Sequence, residues 1–165
     1  MEAGLSLGSN QGDRVDHLRG AVRRLAAWPG VRVLGTSRFY ETEPVDVPEA
    51  FRELLFVNAV IVVEWPGTVH ELWAATKELE AAAGRERGVR NGPRTLDVDI
   101  LYAGAEVIDE PRLTVPHPRW RERRFVVEPL AELRPELMVP GSPLRVREVL
   151  AALPPGGVRV IPESW

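Results

Sequence analysis

Apolar residues recur at Val15, Leu18, Val22 and Leu25, a three-or-four-residue spacing that puts one greasy stripe on a helix over residues 14–27. Asp13 stands where a capping side chain is wanted, and Pro29-Gly30 stops the helix. Before it, residues 1–7 read as a short strand ending at Gly8-Ser9-Asn10. After it, residues 31–40 read as a second strand, followed by a loop containing Pro44 and Pro48. Residues 54–64 are rich in branched apolar side chains and predict a largely buried strand. Pro66-Gly67-Thr68 opens a second helix with Val69, Leu72, Trp73, Thr76 and Leu79 on its inner side, and Gly84 ends it. A glycine-punctuated basic loop, 85–93, leads to a strand over 95–102 with Leu96, Val98 and Ile100 on one face.

That order is β-α-β-β-α-β. It predicts an α+β, ferredoxin-like fold: an antiparallel sheet with its two helices on one face. The remainder is a C-terminal extension with a hairpin near 106–108, a loop over 113–124 and short helices over 126–133 and 146–153. No repeat, low-complexity tract or long linker interrupts the chain, so residues 1–165 are expected to form a single domain.

Composition narrows the classes of function. The net charge of −3 argues against a protein built to sit on nucleic acid. There are no cysteines, which removes disulfides and thiolate metal sites. No apolar run is long enough for a membrane span, and the first residues lack the features of a secretory signal, so a cytoplasmic enzyme is the expectation. Lys77 is the sole lysine among 21 basic residues.

The chemistry concentrates in Leu96-Asp97-Val98-Asp99-Ile100. On a strand Asp97 and Asp99 project from one face while their apolar neighbours pack the other. Two such carboxylates are either a solvated strand face or a site that shares divalent cations. Arg85, Arg87, Arg90 and Arg94 precede this strand, and Arg112, Arg119, Arg121, Arg123 and Arg124 follow it. Guanidinium forks match phosphate oxygens, and magnesium takes carboxylate, water and phosphate oxygens together. The glycine-rich nucleotide loops are absent, so an ATP site would have to be built from arginines, metal and backbone groups. His117, between Pro116 and Pro118, could donate to a phosphate or merely close a turn. Asn58 interrupts an apolar strand and is either a satisfied core amide or a reader of a heterocycle edge, with Phe56 on the same face able to stack on a flat ring.

Five segments together resemble the 6-hydroxymethyl-7,8-dihydropterin pyrophosphokinases. They are Leu7-Gly8-Ser9-Asn10, Ser37-Arg38-Phe39-Tyr40-Glu41-Thr42, Phe56-Val57-Asn58-Ala59, Gly92-Pro93-Arg94-Thr95-Leu96-Asp97-Val98-Asp99-Ile100-Leu101 and Leu113-Thr114-Val115-Pro116-His117-Pro118. The resemblance implies transfer of pyrophosphate from the co-substrate ATP to 6-hydroxymethyl-7,8-dihydropterin in folate biosynthesis. It implies that Asp97 and Asp99 hold two Mg2+ ions and that Arg85 and Arg94 assist transfer. Glu80, Arg87, Arg112, Thr114, His117, Arg121 and Arg123 would line the ATP site. Thr42, Val45, Phe56, Asn58 and Phe125 would form the pterin pocket, Phe56 and Phe125 sandwiching the ring. Such an enzyme would act as a monomer on small molecules, with no nucleic-acid or membrane partner. Two other readings use the same residues: a two-metal phosphohydrolase or nuclease, and a ferredoxin-like module binding RNA or a regulatory ligand. The first leaves Phe56 and Asn58 without a purpose, and in the second Asp97 and Asp99 would repel phosphate.

Overall fold

The computed structural model describes residues 1–42, 55–84 and 95–165. Strand β1 (Glu2–Ser9) runs through the middle of the sheet, between β4 (Val57–Glu64) and β5 (Asp97–Ala103). Beyond β4 come β2 (Arg32–Thr36) and β3 (Tyr40–Thr42), and β8 (Val158–Val160) adds to β3 at the far edge. Every pairing is antiparallel. The β5-β1-β4-β3 order is the ferredoxin-like one expected from the sequence.

Helices α1 (Arg14–Ala26) and α2 (Val69–Ala82) cover one face. Asp13 caps α1 by accepting the N–H of Asp16 at 3.1 Å. Thr68 and Glu71 form a reciprocal capping box that opens α2. Leu5 and Leu7 of β1, Ile61 of β4, Leu18 and Leu25 of α1, and Leu72 and Leu79 of α2 meet there in the main core. Because side chains alternate, β1 turns Gly4, Ser6 and Gly8 to the other face.

That second face is shared. Its far end is covered by the extension: α3 (Arg124–Leu133) and α4 (Val146–Ala152) pack Val126, Leu130 and Val146 against Val60, Leu101 and Tyr102. The helices of the motif lie on one face as expected, and the extension supplies another layer opposite them. Among the described residues nothing covers its near end, over Gly8 and Asp97.

The larger departures from the sequence reading are a split strand, a displaced hairpin and an added strand. The expected strand over 31–40 is split, because Ser37 takes its place in the ladder with a side chain. The N–H of Val60 donates to Ser37 Oγ at 2.9 Å, while Ser37 N–H donates to the Val60 carbonyl at 2.9 Å. The expected loop at 113 begins instead as a strand, β7 (Leu113–Val115), pairing with β6 (Ile108–Glu110) as Leu113 and Val115 turn inward. The hairpin therefore turns at Pro111-Arg112, later than 106–108. Strand β8 was not foreseen, since three residues carry no readable period.

Candidate active site

Register builds the floor of the site. Across three adjacent strands Asp97 faces Gly8 and Gly8 faces Asn58, while two pairs along, on the same face, Asp99 faces Ser6 and Ser6 faces Val60. The central strand thus offers a bare backbone and a hydroxymethyl between a carboxylate row and an amide. A Cβ on Gly8 would lie 2.8 Å from Asn58 Oδ1 and 3.5 Å from Phe56. Glycine is what keeps this trough open. With walls from α2, α3 and the segment after β7, it forms a cleft of about 670 Å3.

One end of the cleft suits a flat ring. Asn58 is 5% exposed, and its Nδ2 donates to Thr42 Oγ1 at 2.6 Å. Phe56 comes from the β4 side and Phe125 from the first turn of α3, both half-buried. The Arg123 guanidinium lies 5.7 Å from the centre of the Phe125 ring. The buried amide is therefore oriented by a neighbour and still lines the cleft, as a reader of a heterocycle edge would.

The other end is ionic. Asp97 is half-buried and Asp99 exposed. Glu80 reaches from α2 to accept the N–H of Val98 at 3.1 Å, and Lys77 Nζ lies 3.2 Å from its other oxygen. His117 donates its backbone N–H to the Leu101 carbonyl at 2.9 Å, and its Nδ1 accepts the N–H of Arg119 at 3.1 Å. An Nδ1 used as acceptor leaves the ring proton on Nε2. Burial, with the Arg123 and Arg119 charges, pushes the imidazole below its ordinary pKa against the opposing pull of Asp99. The neutral ring keeps one N–H to donate. A smaller cleft of about 270 Å3 adjoins this end, walled by Arg112 and Thr114 of the β6–β7 hairpin and by Trp73. Lys77, Asp99 and His117 line both clefts.

The residues expected from the sequence separate cleanly. Thr42, Phe56, Asn58, Glu80, Asp97, Asp99, His117, Arg123 and Phe125 gather round the larger cleft, and Arg112 and Thr114 line the smaller. Arg121 lines neither; its guanidinium sits 5.9 Å from the centre of the Trp120 ring. Val45, Arg85, Arg87 and Arg94 lie outside the described residues. Sequence reasoning missed Ser6, Gly8 and Lys77, and counted Arg119 only among the basic residues. Signals were present: small residues at Gly4, Ser6 and Gly8 share a strand face, and Lys77 stands one helical turn before Glu80.

The chain has clear relatives. The profile of the family 7,8-dihydro-6-hydroxymethylpterin-pyrophosphokinase (HPPK) matches residues 4–135. A Methylorubrum extorquens protein named 2-amino-4-hydroxy-6-hydroxymethyldihydropteridine pyrophosphokinase is 46% identical over 156 residues, 93% of this chain and 94% of that one. A Bacillus subtilis protein of the same name is 43% identical over 129 residues, 78% of this chain and 75% of that one. A crystal structure of Plasmodium falciparum HPPK-DHPS with pteroate aligns at a TM-score of 0.70 over 91% of this chain, which spans 42% of that longer one. Sequence identity there is 14%, so that likeness speaks for the fold alone. The profile and the close relatives speak for descent: the chain belongs to the HPPK family.

Proposed function

We propose that this protein transfers the pyrophosphoryl group of ATP to the hydroxymethyl oxygen of 6-hydroxymethyl-7,8-dihydropterin, releasing AMP and the pterin diphosphate, as a step of folate biosynthesis. The observation that carries this reading is the Asp97–Gly8–Asn58 register. A ring-reading amide and a phosphate-side carboxylate stand two strand spacings apart, roughly 10 Å, with open floor between them. A bicyclic ring with one hydroxymethyl arm fits that span.

Phe56 and Phe125 would sandwich the ring, with Asn58, held by Thr42, hydrogen-bonding its edge and Val45 completing the pocket. The smaller cleft, with Arg112 and Thr114, would take the nucleoside, so that the phosphates run past His117, Arg123 and Asp99 toward Asp97. The His117 N–H would donate to a phosphate oxygen. Arg85, Arg87 and Arg94 would stabilise charge that grows on the phosphates during transfer.

The donor set fits magnesium. Among the described residues no third carboxylate or histidine joins the two aspartates as a ligand cluster, and magnesium characteristically binds through one or two carboxylates plus substrate phosphates and water. Asp97 and Asp99 would hold two Mg2+ ions, which when bound neutralise phosphate charge and acidify the attacking hydroxyl. In the transfer the pterin oxygen forms a bond to the β-phosphorus as the bond from that phosphorus to the α-bridging oxygen breaks. AMP leaves with that oxygen, and the hydroxyl proton passes to solvent. Phosphoryl transfer depends mainly on positioning and electrostatics, so no dedicated base is assigned.

The test is whether AMP is released from ATP only when 6-hydroxymethyl-7,8-dihydropterin is present. Release without it would point to a phosphohydrolase, and no release in its presence would refute the reading.

A further inference from the structure

Away from the reacting groups, one buried carboxylate joins three segments distant in sequence. Glu41 on β3 is 7% exposed. Its Oε1 accepts from Arg159 Nη2 at 2.6 Å and Nε at 3.2 Å, and its Oε2 lies 3.1 Å from Arg14 Nη2. Arg14, the first residue of α1, also donates Nη1 to the Leu55 carbonyl at 2.6 Å. Its fork therefore spans two acceptors on two chain segments, which a single ammonium could not do with the same geometry.

The place of those acceptors matters. Glu41 directly precedes Thr42, and Leu55 directly precedes Phe56; Thr42 and Phe56 line the ring end of the cleft. Among the described residues the backbone joins these two segments sparingly. There β3 pairs with β4 at Tyr40–Asn58 and Glu41–Val57, followed by a bond from Thr42 N–H to the Phe56 carbonyl at 3.0 Å. Yet the Asn58 amide takes its orientation from Thr42. A two-pair ladder at a pocket wall leaves room for a side-chain brace, and Arg14 is placed to be one. The Arg159 guanidinium, together with Arg14, holds the Glu41 carboxyl below the usual carboxylate range, so the brace is ionic at neutral pH.

We propose that Arg14 is a positioning residue for the ring pocket, bridging Glu41 and the Leu55 carbonyl so that Thr42 and Phe56 keep the arrangement in which Asn58 reads its ligand. The choice of ligand rests on the function proposed above; the brace itself does not. Arg159 engages Glu41 from the β8 edge, whereas Arg14 ties Glu41 to the Leu55 carbonyl across both segments of the pocket wall, so Arg14 is the residue proposed.

The test uses Arg14→Met, Arg14→Lys and Arg159→Met in the full chain, with three readouts. Calorimetry gives Kd for 6-hydroxymethyl-7,8-dihydropterin and, separately, for a non-hydrolysable ATP analogue; melting curves give stability. Arg14→Met should weaken pterin binding by about tenfold or more while ATP-analogue binding changes by less than about twofold. Arg14→Lys should rescue in part, and Arg159→Met should be milder than Arg14→Met. Equal weakening of both ligands in step with a lower melting temperature would overturn the proposal, since that is what general loosening gives. A crystal structure of Arg14→Met separates failure of the brace from failure of the pterin reading. Loss of the Asn58–Thr42 contact supports the brace whatever ring the pocket takes, and its retention unchanged refutes the brace.

Discussion

Glu80 accepts the N–H of Val98 at 3.1 Å, so a buried carboxylate from α2 holds the one residue that separates Asp97 from Asp99. Strand β5 is an edge strand, and this N–H is a group the sheet leaves for the helix to satisfy. The same contact ties the strand that carries both aspartates to α2. Glu80→Ala would strand a buried donor and should cost about 1–3 kcal/mol of stability by urea unfolding. Glu80→Gln keeps an acceptor and should cost less. Activity should fall in the same order. An alanine variant as stable and as active as the wild type would show that the contact positions nothing.

Asp99 is exposed and Asp97 half-buried, which makes Asp99 the cleaner probe of the proposed magnesium site. Asp99→Ala should leave stability within about 0.5 kcal/mol of wild type, as exposed substitutions usually do. Turnover in Mg2+ should nevertheless fall by about 10²–10³ or more, the scale for losing one electrostatic group in a transfer site. Asp97→Ala should lose turnover as severely. Steady-state rates across a magnesium titration decide it, and full activity at saturating magnesium would remove Asp99 from the site.

Much of this was legible because strand alternation is strict. Leu96, Val98 and Ile100 had to face the helices, so Asp97 and Asp99 had to face away, and the structure bears this out. Helix periods placed α1 and α2 for the same reason. What escaped was set by partners distant in sequence. The Ser37 hydroxyl stands in for a ladder group only because Val60 lies opposite it. Strand β8 forms on the edge that β3 offers, and Trp165, just beyond it, packs on Phe39 with ring centres 4.3 Å apart and planes tilted by 35°. Lys77 lies within the second predicted helix, where the sequence assigns it no role, and the packing of α2 beside β5 makes it a shared wall of both clefts. Arg121 was grouped with the other arginines by proximity in sequence, while the turn at Trp120–Glu122 directs it onto an indole.

Asn58 is buried with its donor committed to Thr42. Replacing it by alanine removes the amide proposed to read the ring edge and would leave ring groups facing it unpaired. Asn58→Ala should weaken binding of 6-hydroxymethyl-7,8-dihydropterin by about 1–3 kcal/mol, roughly 5- to 150-fold in Kd, with little change for an ATP analogue. Calorimetry on each ligand separates the two. Equal losses would return Asn58 to the status of a core amide.

Glu41 should make stability acid-sensitive. Its carboxyl has an ordinary value of 4.5, and in the folded protein hydrogen bonds from Arg159, and then from Arg14, lower it. Above about 4.5 the group is ionised in both states and its contribution is fully present. As the pH drops below that value the unfolded chain takes up the proton first, and the contribution drains away until the folded value is passed. Urea unfolding of wild type and Glu41→Gln between about pH 3 and 7 should show a stability gap that narrows as the pH falls. A gap constant with pH would mean the ion pairs contribute nothing.

Gly8 offers the sharpest test of the cleft floor. Its Cβ, if present, would sit 2.8 Å from Asn58 Oδ1, closer than such contacts tolerate, and 3.5 Å from Phe56. Asn58 cannot simply swing aside, because its Nδ2 is held by Thr42 at 2.6 Å and its residue is buried. Gly8→Ala must therefore displace the amide or bend β1, and overpacking of this kind typically costs about 1–3 kcal/mol. The methyl would also stand in the trough between Asn58 and Asp97, where the ring is proposed to lie. The expected result is a folded protein of reduced stability whose affinity for 6-hydroxymethyl-7,8-dihydropterin drops at least about tenfold while the ATP analogue binds almost normally. Ser6→Ala, on the same face two residues along, adds no atoms and should be close to neutral for pterin binding. If Gly8→Ala bound pterin as tightly as wild type, the ring would have to lie elsewhere, and the assignment of this end of the cleft would fail with it.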